Sequence, residues 1–330
     1  MANANHPLGV TFGSLGVLGV PAIMDIAKRA ESSGYSSLWT VEATGTDAFS
    51  LLGSVAAVAP GLDLATGIIP VQLRSPALTA MTASTLQALS PDRNVWLGIG
   101  VSAPGILAQH GQSATTRPIA MMREYVALLK ECLSGESVTF EGDFWSVKRF
   151  RLGMRIGERK PKIVMAALNP QMLKLAGEIA DGVLLNYLPS SHVATSIEQV
   201  RKGGDATIFA YVHAAVSNFE QSAKSARKDL FNYAMADSYA NMFRNAGFGD
   251  EIDQLRACHQ NRDREGALAA ISDRMIQAID FIGNANEVTN FVSQYIEAGV
   301  QHPVLMPLPW GENRAEVAHA TMAAAAKAVG

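Results

Sequence analysis

The sequence predicts a (β/α)8 barrel, an α/β fold formed by one domain over residues 1–330. Three observations carry that expectation. Short apolar runs and longer helical patterns alternate eight times along the 330 residues, which is the rhythm of βα units. The stretch LDLATGIIPVQLRSPALTAMTASTLQALSPDRNVWLGIGVSAPGILAQHG, from Leu62 to Gly111, reads as strand, helix and parallel strand in a single unit. A doubly wound sheet, the rival arrangement, needs two domains and a linker between them, and no linker interrupts the chain.

Taken in order, Leu8 to Gly13 is the first strand. Pro21 to Ser33 is a helix whose apolar stripe is Ile23, Ile26, Ala27 and Ala30, stopped by Gly34. Ser36 to Val41 is the second strand and ends at Glu42, and a helix follows from Asp47 to Ala59. The third strand starts at Leu62 and is broken by Gly67, Ile68, Ile69 and Pro70. Pro76 suits the first turn of a helix that runs to Leu89. After the turn SPDR, a fourth strand from Asn94 enters a glycine-containing loop, Gly100 to Gly111.

Thr116 to Leu133 is an amphipathic helix. Residues 135–160 alternate in the manner of an extended insertion, with a turn at Glu141, Gly142 and Asp143. Lys162 to Ala167 is the fifth strand, and Asn169 with Pro170 reads as the N-cap and first turn of the next helix. The sixth strand starts at Val183. The seventh, Ala206 to Val216, carries His213. Residues 218–279 are helical and too long for one crossover, so they read as a helical insertion. A helix from Asn286 to Ala298, an eighth strand at Pro303 to Pro307 and an alanine-rich helix from Glu312 complete the pattern.

Composition narrows the function classes. With 48% apolar and 17% charged residues the chain can bury a large core, which argues against disorder. A net charge of −3 without long runs of one sign argues against a nucleic-acid groove or a basic membrane face. Leu8 to Met24 is uncharged but short for a bilayer crossing, and no basic segment precedes it. Cys132 and Cys258 form neither a metal-ligand spacing nor a disulfide framework. A soluble, cytoplasmic protein without a metal is the expectation.

Several positions are candidates for chemistry. In LGIGVSAPG the glycines Gly98, Gly100 and Gly105 miss the dinucleotide fingerprint but permit close backbone approach to a ligand, or simply a tight turn. The start of the helix after Ala166, Ala167, Leu168 and Asn169 offers unpaired N–H groups to a phosphate, or is an ordinary capped helix. Glu42, at the C-terminal end of a strand, is placed either to accept ligand hydrogen bonds or to cap the next helix. His213, in an apolar strand, is either an acid–base group or a core residue, and His110 lies in the fourth loop. No HExxH, phosphate loop or Ser–His–Asp order is present.

The segments AESSGYSSLWTVEATGTDAF at Ala30, ATGIIPVQLRSPALTAMTASTLQALSPDRNVWLGIGVSAPGILAQHG at Ala65, RPIAMMREYVALLKECLSG at Arg117 and AALNPQMLKLAGEIADGVLLN at Ala166 resemble the bacterial luciferase-like superfamily. The resemblance is to its branch using the deazaflavin coenzyme F-420, with the fourth segment similar to methylenetetrahydromethanopterin reductases.

The resemblance implies a homodimeric barrel with insertions and a ring-binding site at the C-terminal ends of the strands. It implies a non-prolyl cis peptide at Gly67–Ile68 behind the ring. It places the cofactor tail along Gly98, Gly100, Val101, Ser102 and Ala103 and along Ala166 to Asn169, with Glu42 at the deazaflavin. Phe12, His110 and Tyr187 would line the substrate pocket, and Glu42 or His213 would supply a proton. Ala43 and Val101 stand where sugar-phosphate dehydrogenases of this family have histidine and glutamate, so a glucose-6-phosphate dehydrogenase is not expected. The implied activity is F-420-dependent hydride transfer with a small organic substrate. The alternative is an FMN-dependent monooxygenase, which would need a separate flavin reductase.

Overall fold

A computed structural model describes residues 6–155 and 157–330. Eight parallel strands form the barrel: β1 (Gly9–Thr11), β2 (Ser37–Thr40), β3 (Asp63–Thr66), β4 (Val95–Gly100), β5 (Lys162–Ala166), β6 (Gly182–Leu185), β7 (Thr207–Val216) and β8 (His302–Pro307). Each pairs with the next in the chain, and β8 returns to β1 through Gly9 opposite Val304, which closes the sheet.

The two-residue period of a strand divides the side chains between two cores. One set packs outward under the helices, as Leu38, Ile208, Ala210 and Val212 do. The other fills the barrel: Trp39, Ala65, Trp96, Val164, Leu184, Phe209, Tyr211 and Val304. Trp39 and Trp96 meet Phe209 with ring centroids 5.2 and 4.9 Å apart, and each such ring contributes about 2–3 kcal/mol through burial. From β1 comes Gly9, where a Cβ would lie 2.9 Å from Trp39 Nε1. The absence of a side chain there makes room for the tryptophan.

β7 is ten residues long, and its inward positions rise as Phe209, Tyr211 and His213 from the packed interior to the C-terminal mouth. β6 pairs only with its first part, from Thr207 to Ala210. A further strand, Asp280–Gly283, pairs with its last part, His213 opposite Asp280 and Val216 opposite Gly283. The sequence reading assigned no strand here. Four residues directly after the helix Asp273–Ile279 are too few to show a period of their own.

Val138–Glu141 and Ser146–Phe150 form an antiparallel hairpin. From Phe219 to Ile279 the described residues form five α-helices and a π-helical turn at Arg244–Phe248. Two local expectations need correction. Gly98 lies inside β4, where a Cβ would stand 1.8 Å from the Thr66 carbonyl oxygen, so strand packing accounts for that glycine. Asn169 occupies the N-cap position of the helix Pro170–Ile179 without capping it, because its amide instead donates to the Ser238 carbonyl at 3.0 Å.

Candidate functional site

β3 stops at Thr66, and the chain resumes at Ile69–Pro70, which pairs with the end of β4. The Gly67–Ile68 peptide between them is cis. Its surroundings hold it on both sides. Gly67 N–H donates to Thr40 O at 2.7 Å, and Glu42 N–H donates to Ile68 O at 3.1 Å. From inside the barrel the Tyr211 hydroxyl donates to Gly67 O at 2.8 Å. A Cβ on Gly67 would lie 2.0 Å from that hydroxyl oxygen, so no larger residue fits with Tyr211 in place.

Over this peptide opens a cavity of about 540 Å³. Gly13 and Val41 border it from the ends of β1 and β2, and Asn186 and Tyr187 from the end of β6. Lys228, Asp229 and Tyr233 enter from the helix Phe219–Ala234, and Trp310 and Arg314 from the segment after β8. The lining mixes aromatic and apolar side chains with polar and charged groups, among them Asn186, Lys228, Asp229 and Arg314.

The sequence candidates divide around this space. Gly67 and Tyr187 line it. His213 lies beneath it, with its ring centroid 4.0 Å from that of Tyr187. Phe12 is core, 3% exposed. Glu42 receives both arms of the Arg74 guanidinium at 2.8 Å and the Ala48 N–H at 3.3 Å, and Arg74 also pairs with Asp47. Arg74 lies over the Phe49 ring, 5.0 Å from its centroid. His110 closes the loop after β4 onto the loop after β2, with Nε2 2.5 Å from Ala43 O. Val101, Ser102 and Ala103 lead into the short helix Pro104–Gln109, and with Gly98, Gly100 and Ala166 to Asn169 they stand outside the cavity lining.

The strongest electrostatic perturbation lies at His213, which the sequence reading named, and at two acids it did not. His213, Asp229 and Asp280 bring one nitrogen and two carboxylates together, with all three ligand-capable atoms within 4.8 Å of one another. His213 is 1% exposed and Asp280 is fully buried. His213 Nε2 meets Asn186 Oδ1 at 2.9 Å, and the Asn186 amide nitrogen donates to the Tyr239 hydroxyl at 3.1 Å. The Tyr187 hydroxyl donates to Asp229 at 2.6 Å.

Burial drives the titration of this group. It pushes the Asp229 carboxyl up to about 7, with the neighbouring Asp280 charge adding to the effect. It holds the Asp280 carboxyl well above the usual carboxylate range and lowers His213 to about 4. His213 is therefore neutral at neutral pH.

Both missed acids carry a sequence signal. Asp229 and Tyr233 stand three and seven residues after Ala226, on the helix face that also buries Leu230 and Ala234. Asp280 is a lone acid among the apolar residues of AIDFIG.

A family model described as luciferase-like monooxygenase matches residues 11–302. The chain is 26% identical over 291 residues to a 5,10-methylenetetrahydromethanopterin reductase of Archaeoglobus fulgidus, covering 84% of this chain and 86% of that protein. It is 24% identical over 326 residues to a putative coenzyme F-420-dependent oxidoreductase of Mycobacterium tuberculosis, covering 90% and 94%. Its fold matches the F-420-dependent tetrahydromethanopterin reductase of Methanopyrus kandleri with a TM-score of 0.75 at 19% identity, over 97% and 98% of the two chains. With a closed eight-stranded barrel and a family match that spans most of its length, the chain belongs to the luciferase-like monooxygenase family and is an oxidoreductase of that family.

Proposed function

We propose that this oxidoreductase binds coenzyme F-420 and transfers hydride between the deazaflavin and a small organic substrate. The observation that carries the reading is the floor of the cavity: a side-chain-free peptide at Gly67, backed by Tyr211, beneath about 540 Å³ of space. A flat ring system fits against such a floor, and the missing Cβ lets Tyr211 support the peptide from inside the barrel. The relatives named as F-420-dependent support the choice of cofactor.

When bound, a deazaflavin supplies two-electron hydride chemistry. The residues of this chain do the rest. Gly67 and Val41 give a flat apolar backing, while Tyr187 and Trp310 limit access of water. Lys228 and Arg314, both exposed at the rim, suit anionic groups of the cofactor or substrate. The expected tail contacts at Gly100 to Ala103 and Ala166 to Asn169 are part of the same proposal, as is a role for Glu42 beside the ring.

The family description favours a second reading, an FMN monooxygenase supplied by a separate reductase. Equilibrium titration of the purified protein with F-420 and with FMN separates the two. Saturable F-420 binding, at least tenfold tighter than FMN, is the expected result. Tighter FMN binding with substrate-dependent oxygen uptake would replace the proposal with the second reading.

Among the described residues no helix is long and apolar enough to cross a membrane. A cytoplasmic homodimer is part of the proposal. The helix Pro76–Leu89 exposes Leu78, Met81 and Leu89, an apolar stripe that suits a second copy of the chain. Light scattering of the eluting protein checks it, with twice the chain mass expected.

A further inference from the structure

Asp280 has a burial problem that its neighbours do not solve. Both of its carboxylate oxygens, and His213 Nδ1, lack a hydrogen-bond partner among the described residues, although the side chains are 0% and 1% exposed. The His213 proton can be located from the network. With the Asn186 amide nitrogen directed at the Tyr239 hydroxyl, Oδ1 faces His213, and that orientation assigns the hydrogen to Nε2. In a neutral ring that leaves Nδ1 as a lone pair, and Asp280 Oδ1 faces it at 3.2 Å. Two acceptors confront each other there. Asp229, whose other contact is the Tyr187 hydroxyl, brings a second carboxylate to the same spot. Among the described residues no cation approaches the group: the titratable neighbours are His213, Tyr187, Tyr233, Tyr239 and Tyr295, and Lys228 and Arg314 stand out at the cavity rim. Leaving a buried carboxylate without any partner is among the most costly arrangements a fold can hold.

We infer that Asp229 and Asp280 share one proton, and that Asp229, the member lining the cavity, exchanges it with substrate during hydride transfer. A proton on the pair turns Asp280 into a donor and removes the clash of acceptors at once. The elevated Asp229 carboxyl and the depressed His213 agree with that distribution. Tyr187 is a positioning residue here: its hydroxyl fixes the Asp229 carboxyl at the cavity wall.

The chemistry balances on the proposed function, on which the transfer step rests. Hydride from the bound two-electron donor adds to the electrophilic carbon of a C=N or C=O group and forms a C–H bond. The π pair moves to the heteroatom, which takes the proton from Asp229. The carboxyl pair is left with two negative charges and recovers its proton from solvent through the cavity. In the oxidative direction the pair accepts the proton and the hydride leaves.

The test needs no cofactor and no substrate. Infrared spectra of protein labelled with ¹³C at the aspartate carboxyls are recorded as the pH is raised. At about pH 6, where ordinary aspartates are ionised, a carboxylic acid band is expected to persist, and the Asp229 share of it should be lost around pH 7. The band should weaken and its midpoint move to lower pH in Asp280→Asn, which removes the charge that adds to burial, and both should stay unchanged in Asp47→Asn. Tyr187→Phe, which removes a donor that favours the ionised form, should move its midpoint to higher pH. The unsubstituted protein decides the matter even if a variant fails to fold: no protonated aspartate at pH 6 overturns the inference. An unchanged band in Asp280→Asn does the same, as does a stoichiometric divalent cation that Asp280→Asn releases. Failure of F-420 to bind would remove the proposed function and leave the band in place, so the two ideas fall separately.

Discussion

On one side of the barrel mouth, Arg74 gathers Glu42 and Asp47. On the other, Asp229 and Asp280 meet with no cation between them. The first group is a finished clamp. Bidentate geometry satisfies both Glu42 oxygens, the Ala48 N–H adds to one of them, and Arg74 is held above its ordinary range chiefly by its hydrogen bonds to Glu42. Burial opposes ionisation of Asp47, yet hydrogen bonds from Ser50 and the Arg74 charge bring it below its ordinary value. The second group is left incomplete, and burial raises both of its carboxyls. Charge that is fully paired ties the loop after β2 to the loop after β3. Charge that is short of a partner has spare capacity for a proton, and it lies against the cavity. The contrast explains why an acid at a strand end is not by itself a catalytic group: its neighbours decide what it can do.

The largest expected effect comes from breaking the clamp. Arg74→Ala strands two carboxylates, with Glu42 and Arg74 only 12% and 16% exposed, and should destabilise the fold by about 3 kcal/mol, read as a lower denaturation midpoint. Removing one carboxylate from the other group should act in the opposite direction. Asp280→Asn keeps the shape and removes the second charge, so it should stabilise the protein by about 1–2 kcal/mol at pH 8 and by little at pH 5. The sign follows from linkage. Asp229 has a folded value of about 7 against an ordinary 3.8, so its protonated form stabilises the fold at low pH, and that contribution is lost as the pH rises through 7. Denaturant titrations of both proteins at the two pH values check this, and a gain at pH 5 equal to that at pH 8 would contradict it.

Much of this architecture is legible in the sequence, and the limits are physical. Eight strands stand out because each is a continuous apolar run bounded by turn residues. The broken strand at Gly67 is legible because glycine and proline punctuate it. Asp280 was missed because its strand is four residues long and follows a helix without a loop, leaving no periodicity to read. Glu42 and His213 could be named as candidates because they sit at or near strand ends. Their partners could not: Arg74 is 32 residues from Glu42, and Asn186 is 27 from His213, and only the pairing of neighbouring parallel strands brings them together. The cavity floor shows the same division. Gly67 is visible in the sequence, whereas Tyr211, 144 residues away, is the residue that makes glycine obligatory there.

The smallest expected effect lies between the two charged groups, at that floor. Tyr211 reaches neither the clamp nor the carboxyl pair. Its hydroxyl donates to Gly67 O, and burial holds it protonated and able to donate at neutral pH. Tyr211→Phe keeps the ring packed in the barrel interior and removes the hydroxyl that donates to Gly67 O. The Gly67 carbonyl then loses its donor in a buried place, at a cost of about 1 kcal/mol. Since the hydroxyl no longer crowds the position, Gly67→Ala should be better tolerated in the Tyr211→Phe background than alone. A double-mutant cycle read by thermal denaturation measures the coupling. A favourable coupling of about 1 kcal/mol or more is expected. Additivity would mean that the floor is shaped by the backbone without Tyr211, and the contrast between the two charged groups would then stand without a common floor between them.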